Sequence, residues 1–508
     1  MFSKVKNEYF IFFISFLIYF PIILWGGYFL DDNYRSIDAF YGWTGDYRPV
    51  SDWIFYLLGF GEDFTDTAPL NYIIQFFILS YFNIFFTNKI QKFFLLDKSF
   101  KNYISLSVSL IFLSPFFIQN LYFRYDSLIM VISIIIACIP FFFNNKKIDL
   151  LCCILVLFTY QSSIVGYICI VVLRLLKIIH MNEHVLLIYK EILISFSVFL
   201  IAIVIFTLTA NFLISPNVYA KNHTSIVTSF EMFAENIRYS FNILSFSSSL
   251  VEYTISITFI IIGILFIYNI IYKNKKINNL NRLIIIIGIL FIYLICLLNI
   301  NTILIKPRLY TRTYIGVGFV LFLSGVSLII TIAIKDKILK KYNYFFKFIL
   351  LSIFLICINI FYSAHNYIKE TENYTKDIVN NISYDLSILG KNHYNFIMIY
   401  GESYTPLRSK VLANRYPILL NIFYDNEIIF FYKFARLTDL LKNKGFIFDE
   451  IGYRGRSYSK EYNQYSYAKP NIERLQYNIV ITKDNKLFIY FKKNGNLIKS
   501  PLTGNRLD

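Results

Sequence analysis

Runs of about 20 consecutive apolar residues recur along this chain. A helix of that length crosses the hydrocarbon core of a bilayer, with roughly 17 to 25 residues tolerated. Inside hydrocarbon every backbone N–H and C=O must find its partner within the protein, so such runs are read as packed helices. This ruler gives about eleven spans, centred near residues 20, 78, 112, 135, 155, 172, 201, 262, 292, 324 and 354. The first, about Tyr9 to Leu30, follows Lys4 and Lys6 as a secretory signal would. It exceeds the roughly 7 to 15 apolar residues of a signal core, and Trp25-Gly26-Gly27-Tyr28 is a poor cleavage site, so it is read as an uncleaved helix. Leu150 to Ile179 is nearly continuous and too long for one helix; we divide it at the polar turn Tyr160-Gln161-Ser162-Ser163.

Charge then orients the spans. Lys and Arg exceed Asp and Glu by 49 to 32, a net +17. In a cytosolic protein that excess would suggest nucleic acid; here it sits between apolar runs, so no nucleic-acid partner is expected. With Lys4 and Lys6 cytoplasmic, the basic connections at Lys89/Lys92/Lys98/Lys101, Lys146/Lys147, Arg174/Lys177, Lys273/Lys275/Lys276/Arg282 and Lys335/Lys337/Lys340/Lys341 all land on that side, as the positive-inside rule requires. The other side receives the acidic Asp31 to Asp66 loop, the turn Tyr122 to Asp126, the loop Ser215 to Glu252, and Lys306-Pro307-Arg308. After an eleventh span the tail is outside as well.

Near His365 the composition changes, and no spanning stretch follows. The expected domains are 1–363, carrying the first outer loop at 31–68, and 364–508, an extracytoplasmic domain large enough for its own core. A strand-like Tyr394 to Tyr400, a helical Tyr432 to Lys444, and a hairpin pairing Tyr477 to Thr482 with Lys486 to Phe491 across Lys483-Asp484-Asn485 predict mixed α/β structure. The fold class is therefore an all-α polytopic membrane protein of about 11 transmembrane helices with a C-terminal α/β extracytoplasmic domain. All six cysteines lie in apolar runs, which supports neither a disulfide scaffold nor a Cys-based zinc site. His180 and His184 share helical spacing, but no carboxylate completes a metal set, so no metal is expected.

Chemistry concentrates in the first outer loop: Leu30-Asp31-Asp32-Asn33-Tyr34-Arg35-Ser36, Tyr41-Gly42-Trp43, and Gly45-Asp46-Tyr47-Arg48-Pro49. Aromatic faces stack on the apolar side of a sugar ring, and carboxylates accept from its hydroxyls. A carboxylate pair also lets one group act as base while the other orients it. An isolated Asp-Asp more often merely ends a helix; the density of ionisable and aromatic groups here favours the sugar-holding reading. Glu62, Asp63 and Asp66 supply a further base, an acceptor contact or only a solvated loop. Lys306-Pro307-Arg308 and Arg312 place cations where the positive-inside rule does not, which fits either an anionic ligand or ordinary headgroup contact. Arg124 and Asp126 do not stand apart from a local ion pair.

Asp31-Asp32-Asn33-Tyr34-Arg35-Ser36, followed by Gly42-Trp43 and Asp46-Tyr47-Arg48-Pro49, resembles the O-antigen glucosyltransferases of the phage-type Gtr serotype-conversion systems. Phe123-Arg124-Tyr125-Asp126-Ser127, Tyr160-Gln161-Ser162-Ser163 and Pro307-Arg308 extend the likeness over most of the membrane part, and the tail beyond 364 matches nothing comparable. Asp46-Tyr47-Arg48-Pro49 departs from the Asp-Gly-Arg-Pro of the pattern, which keeps the charges and puts the loop geometry in question. The resemblance implies a GT-C-like, cofactor-independent enzyme of the bacterial inner membrane. Its donor would be undecaprenyl phosphate glucose and its acceptor the lipid-linked O-antigen. Membrane lipids surround it, and a lipid-glucose flippase and a cytoplasmic-side synthase would be its functional partners. On that reading Asp31 or Asp32 is the base, with Glu62 next. Lys306, Arg308 and Arg312 bind the donor phosphate, and Tyr34, Arg35, Trp43, Asp46, Arg48, Glu62 and Asp126 hold sugar and acceptor. A transporter or assembly component for lipid-linked sugars is the alternative, although no internal repeat is present and the charges lie at the outer edges.

Overall fold

The computed structural model describes residues 6–29, 32, 35–36, 39, 41–59, 65–217, 220, 225–246, 250–307, 309–333, 343–401, 406–423, 437–452 and 469–492. They form two compact units, Met1–Tyr362 and Ser363–Asp508. In chain order the first unit contains α1 (Asn7–Trp25), α2 (Pro49–Gly59), α3 (Leu70–Phe93), α4 (Lys101–Leu113), α5 (Ile118–Tyr122), α6 (Asp126–Cys138) and α7 (Lys146–Thr159). It continues with α8 (Val165–His180), α9 (Val185–Leu213), α10 (Phe230–Phe246), α11 (Leu250–Lys273), α12 (Asn279–Leu298), α13 (Ile315–Ala333) and the beginning of α14 (Asn343–Ile388).

Eight of these, α1, α3, α8, α9 and α11 to α14, are long and apolar enough to cross a membrane. The sequence-based count of about eleven adds three shorter helices to these eight, which are counted among the described residues by length and composition. The expected centres near 112, 135 and 155 fall on α4, α6 and α7, which have 13, 13 and 14 residues. At 1.5 Å per residue each is about 20 Å long, short of a hydrocarbon core of about 30 Å. The reason is visible at α4, which stops at Ser114-Pro115, where proline removes a donor and obstructs the preceding turn, and resumes as α5. Non-helical backbone survives at such depth only when enclosed by protein. Residues 104–114 and 116–123 are accordingly all buried. The division placed at Tyr160 is present: α7 ends at Thr159, Tyr160 is extended, and a 3-10 turn over Gln161–Ile164 leads into α8.

The connections of the first unit gather at two ends. At one, Asn7 bonds Asn102 (3.0 Å), Lys89 donates to the Phe142 carbonyl (3.0 Å), Asn274 donates to the Ile179 carbonyl (3.0 Å), and the Lys347 ammonium lies over the Phe100 and Tyr103 rings. There too the buried Arg174 takes Asp149 in two parallel bonds of 2.6 and 2.9 Å, and Lys146 pairs with Glu191 at 2.6 Å. The other end collects the described residues among 26–66, 122–126, 160–163, 215–227 and 300–313. Between the ends runs α13, buried along its length. A Cβ on Gly318 would collide with the Ile111 carbonyl of α4, and one on Gly316 with the Cys296 carbonyl of α12. Small residues are what let helices meet at backbone distance in hydrocarbon, where the hydrophobic effect supplies no attraction between them.

The second unit joins the end of α14 to a five-stranded sheet of β1 (His393–Gly401), β2 (Ile447–Gly452), β3 (Ile472–Glu473), β4 (Tyr477–Ile481) and β5 (Lys486–Phe491), in the order β2-β1-β5-β4-β3. β1 is parallel to β2 and β5, and β4 is antiparallel to β5 and β3. Both faces are covered. Ile378, Ile382 and Leu386 of α14 pack with Tyr394, Ile397 and Ile479, while Phe396, Met398, Val480 and Phe488 make a separate core. Burial on both faces is why β1 reads as a nearly continuous apolar run. Between β1 and β2 lie α15 (Leu407–Arg415) and α16 (Ile418–Ile422). The expected hairpin is present across Lys483-Asp484-Asn485, with Asn485 at φ +59°. Of the helix expected over Tyr432 to Lys444, residues 437–442 are helical and 432–436 lie outside the described residues.

All six cysteines are free and buried, so single cysteines at the exposed Thr228 and Lys275 report the side of the membrane on which each end lies. We expect Thr228→Cys to react with an impermeant maleimide in intact spheroplasts and Lys275→Cys to react only after lysis. Labelling in the opposite order would invert the assigned orientation.

Candidate functional site

The end holding residues 26–66 is built around carboxylates that organise loops. Asp32, 1% exposed, accepts backbone N–H bonds from Phe29 (3.0 Å), Arg124 (2.7 Å) and Tyr125 (3.3 Å), and so sews the first loop to the turn before α6. Burial pushes its carboxyl well above the usual carboxylate range; those three N–H groups oppose the shift, and the charge of Asp126 adds to it. Asp66 forms the second stitch. It takes the Arg124 guanidinium in two bonds of 2.9 Å and the Tyr28 hydroxyl at 2.9 Å. Burial works against the charge on Arg124, but Asp66 outweighs it and the guanidinium pKa is raised. Arg124 and Asp126 are thus no local ion pair: the partner of Arg124 lies 58 residues away.

Asp126, in the first turn of α6, accepts instead from the indole N–H of Trp43. Trp43 is 1% exposed, stacks on Phe55 of α2 at 4.7 Å, and has the Arg35 guanidinium 3.8 Å from its ring centroid. Asp52, in the first turn of α2, accepts the N–H groups of Gly42 and Trp43 at 3.2 Å, and also takes the N–H and hydroxyl of Thr44. A carboxylate there faces the unpaired N–H groups at a helix start, where negative charge is favoured. A 3-10 turn over Thr44–Asp46 follows, closed by Tyr47 at φ +62°, ψ +31°. That is the left-handed region, which favours glycine, the residue that the resemblance led one to expect at this position. Here Tyr47 occupies it, and its carbonyl accepts from Gln161 at 3.3 Å.

Beyond Tyr47 the Arg48 guanidinium lies 5.1 Å from the ring centroid of Tyr160. The Tyr160 hydroxyl donates to the backbone carbonyl of Arg312 at 3.2 Å. Burial raises the Tyr160 phenol pKa, while the charges of Arg312 and Arg48 lower it, so both guanidiniums act on one phenol. Arg312 is gripped along its backbone. Its N–H donates to Gln119 Oε1 (3.0 Å), its carbonyl also accepts from Asn120 (3.0 Å), and its guanidinium lies 4.8 Å from the Phe123 centroid. Gln119 and Asn120 sit on α5, both fully buried. Asp46 takes the Asn217 amide at 2.7 Å, which brings the loop after α9 into the same end. Residues 225–227 join the segment after α12 through the Ile226–Leu304 bridge, and Lys306 is exposed just beyond it.

Of the residues singled out from sequence, Arg35, Trp43, Arg48, Asp126 and Arg312 are brought to this end around Trp43 and Tyr160, with Asp32 in the wall and Asp46 at the rim. Asp31, Tyr34, Glu62 and Arg308 lie outside the described residues. Asp52, Gln119, Asn120 and Asn217 escaped sequence reasoning as site residues. Each bonds a partner far along the chain or a backbone group, which residue spacing does not signal; Asp52, three residues after Pro49 at a helix start, carried the one local cue. Among the described residues no three His, Cys, Asp or Glu side chains come together as a metal set.

A family model described as glucosyl transferase GtrII matches residues 20–323. A protein of Salmonella phage P22, described as an uncharacterized 55.3 kDa protein in the gtrB 5' region, is 35% identical over 136 residues, 26% of this chain and 26% of its own length. The match thus spans about a quarter of that relative. No solved structure matches.

Two variants test the loop architecture. Asp52→Ala leaves the N–H groups of Gly42 and Trp43 without their acceptor, and a lost bond to a charged group costs about 1.5–3 kcal/mol; thermal unfolding in detergent should show that loss. Tyr47→Gly relieves about 1–2 kcal/mol of left-handed strain against roughly 0.5–1 kcal/mol of added chain entropy. Its melting temperature should stay near that of the wild type, and a large drop would mean that the Tyr47 side chain supports the fold.

Proposed function

Because the chain belongs to the glucosyl transferase GtrII family, we propose that it transfers a glucosyl residue from undecaprenyl phosphate glucose to a sugar of the lipid-linked O-antigen, at the periplasmic face of the inner membrane. The observation that carries this reading is the gathering of guanidiniums, aromatic rings and a carboxylate at one end of the helical unit: Arg48 over Tyr160, Arg312 over Phe123, and Arg35 and Asp126 about Trp43. The basic connections orient that end outward. Nucleotide sugars are absent outside the inner membrane, so an enzyme acting there needs a donor carried by a lipid.

The reaction is a single displacement, and it inverts the anomeric configuration. Guanidiniums hold the departing lipid phosphate through paired N–H donors in a site partly closed to water, where such bonds are strong. Arg312, with Lys306 and Arg308 on the same segment, supplies the phosphate side. Arg48 lies over the Tyr160 ring, whose hydroxyl bonds the Arg312 backbone carbonyl, and joins that group. Tyr34 is the first-loop aromatic suited to the glucosyl ring or the acceptor sugar; Trp43, buried between Phe55 and the Arg35 guanidinium, supports the site from behind. A carboxylate at this end takes the acceptor proton; Asp31, Asp32 and Glu62 are the first-loop candidates. The second unit, residues 363–508, selects the acceptor. The patch Tyr453, Arg454, Arg456, Tyr458, Lys460, Tyr462 and Tyr465, outside the described residues, contributes to that selection.

The test is transfer by the full-length protein in lipid nanodiscs, from undecaprenyl phosphate glucose to lipid-linked O-antigen. We expect wild-type turnover, and a fall of about 100-fold or more in kcat/KM for Arg312→Ala, the range seen when one donor to a developing charge is removed. Undiminished transfer by that variant would place the phosphate elsewhere. Movement of the intact lipid-linked sugar across the bilayer without transfer would make the protein a transporter.

A further inference from the structure

We propose that Asp126 is the general base that takes the proton of the acceptor hydroxyl, an assignment that rests on the glucosyl-transfer reading. The described carboxylates at this end divide by what they already hold. Asp32 is 1% exposed and receives three backbone N–H bonds. Asp52 receives the N–H groups of residues 42 to 44. Asp66 is filled by Arg124, Tyr28 and the Ala68 N–H, and Asp46 holds the Asn217 amide at the rim. Protonating Asp32 or Asp66 would put a proton where the loop's own donors already point.

Asp126 differs. One oxygen, Oδ1, accepts from the Trp43 indole, and among the described residues no donor reaches Oδ2. The residue is 7% exposed, enclosed without being sealed. It makes no helix cap, although it stands in the first turn of α6. A general base needs this division: one oxygen fixed so that the carboxylate keeps its direction, and the other vacant to receive a proton. The fixing partner is itself held, since Trp43 stacks on Phe55 and donates its backbone N–H to Asp52. The charge of Asp126 acts on both Asp32 and Tyr160, and Tyr160 also feels Arg312 and Arg48. Asp126 lies three residues beyond Phe123, whose ring carries the Arg312 guanidinium at 4.8 Å, so the carboxylate and the cation are neighbours at this end.

The step balances as written. The acceptor oxygen bonds to the anomeric carbon, and the bond from that carbon to the phosphate oxygen breaks. Its electron pair leaves on the lipid phosphate beside Arg312 and Arg48. The hydroxyl proton passes to Asp126 Oδ2 and returns to water when the products leave.

Asp126→Asn keeps the shape and the acceptor for the Trp43 indole. In the nanodisc assay its kcat should fall by about 100- to 10,000-fold while the KM for undecaprenyl phosphate glucose stays within about threefold of wild type. Asp126→Glu should recover at least about tenfold over Asp126→Asn. A kcat near wild type for Asp126→Asn, or a loss confined to acceptor KM, overturns the assignment. So does a kcat-only loss in Asp31→Asn or Asp32→Asn with Asp126→Asn spared. Should Asp126→Asn fail to accumulate, Trp43→Phe removes the fixing N–H and should lower kcat by about tenfold at constant donor KM; unchanged kcat there overturns it too. A wild-type protein that is inactive with this donor instead overturns the glucosyl-transfer reading, and the base with it.

Discussion

Close backbone contact along α13 is the constraint on which the membrane unit depends. Inside a bilayer, helices gain nothing from leaving water, so they are held by dispersion between surfaces that fit. α13 is buried over its whole length, and glycines at 316 and 318 let the backbones of α12 and α4 approach closer than any side chain would permit. Because α4 is pinned there, its interruption at Ser114-Pro115 can be enclosed by protein, and α5 follows as a short buried element carrying Gln119 and Asn120. Those two amides grip the backbone of Arg312, just before α13 begins. One packing solution thus carries both the middle of the bundle and the position of a cation at its end.

At that end, burial separates structural charge from charge available for chemistry. Removing a carboxylate from water is costly unless donors replace the water. Asp32, Asp52 and Asp66 meet that cost with backbone N–H groups or the Arg124 guanidinium, and in doing so join the first loop to α2 and to the turn before α6. Their role is to hold a long irregular loop in one conformation, which hydrophobic packing alone does poorly. Asp126 is served, among the described residues, by a single neutral donor. Arg48 and Arg312 are instead held against ring faces, Arg48 over Tyr160 and Arg312 over Phe123. The opposite end shows the contrast: Arg174, Asp149, Glu191 and Lys146 satisfy one another and the chain ends around them, so they lock helices together.

The sequence by itself determined where the helices lie, because a run of apolar residues has no other stable form in hydrocarbon. Each expected centre falls on a helix, and the break at Tyr160 was readable from four polar residues in an apolar field. It also determined the hairpin across Lys483-Asp484-Asn485, a local matter of alternation and turn chemistry. The aromatic and charged motif of the first loop was equally legible as a place for chemistry. Helix length was not. α4, α6 and α7 are short because proline and 3-10 turns interrupt them, and whether an interruption ends a span or is absorbed depends on what surrounds it. The parallel pairing of β1 with β2 and β5 was likewise out of reach, since those partners lie about 50 and 90 residues away and pairing leaves no local mark. Only the tertiary structure decided which carboxylate does what. Asp32 and Asp126 look alike in sequence, each within three residues of a tyrosine and an arginine. Among the described residues one meets three backbone N–H groups and the other an indole, because donors are assigned by loops that come together only when the helices are packed.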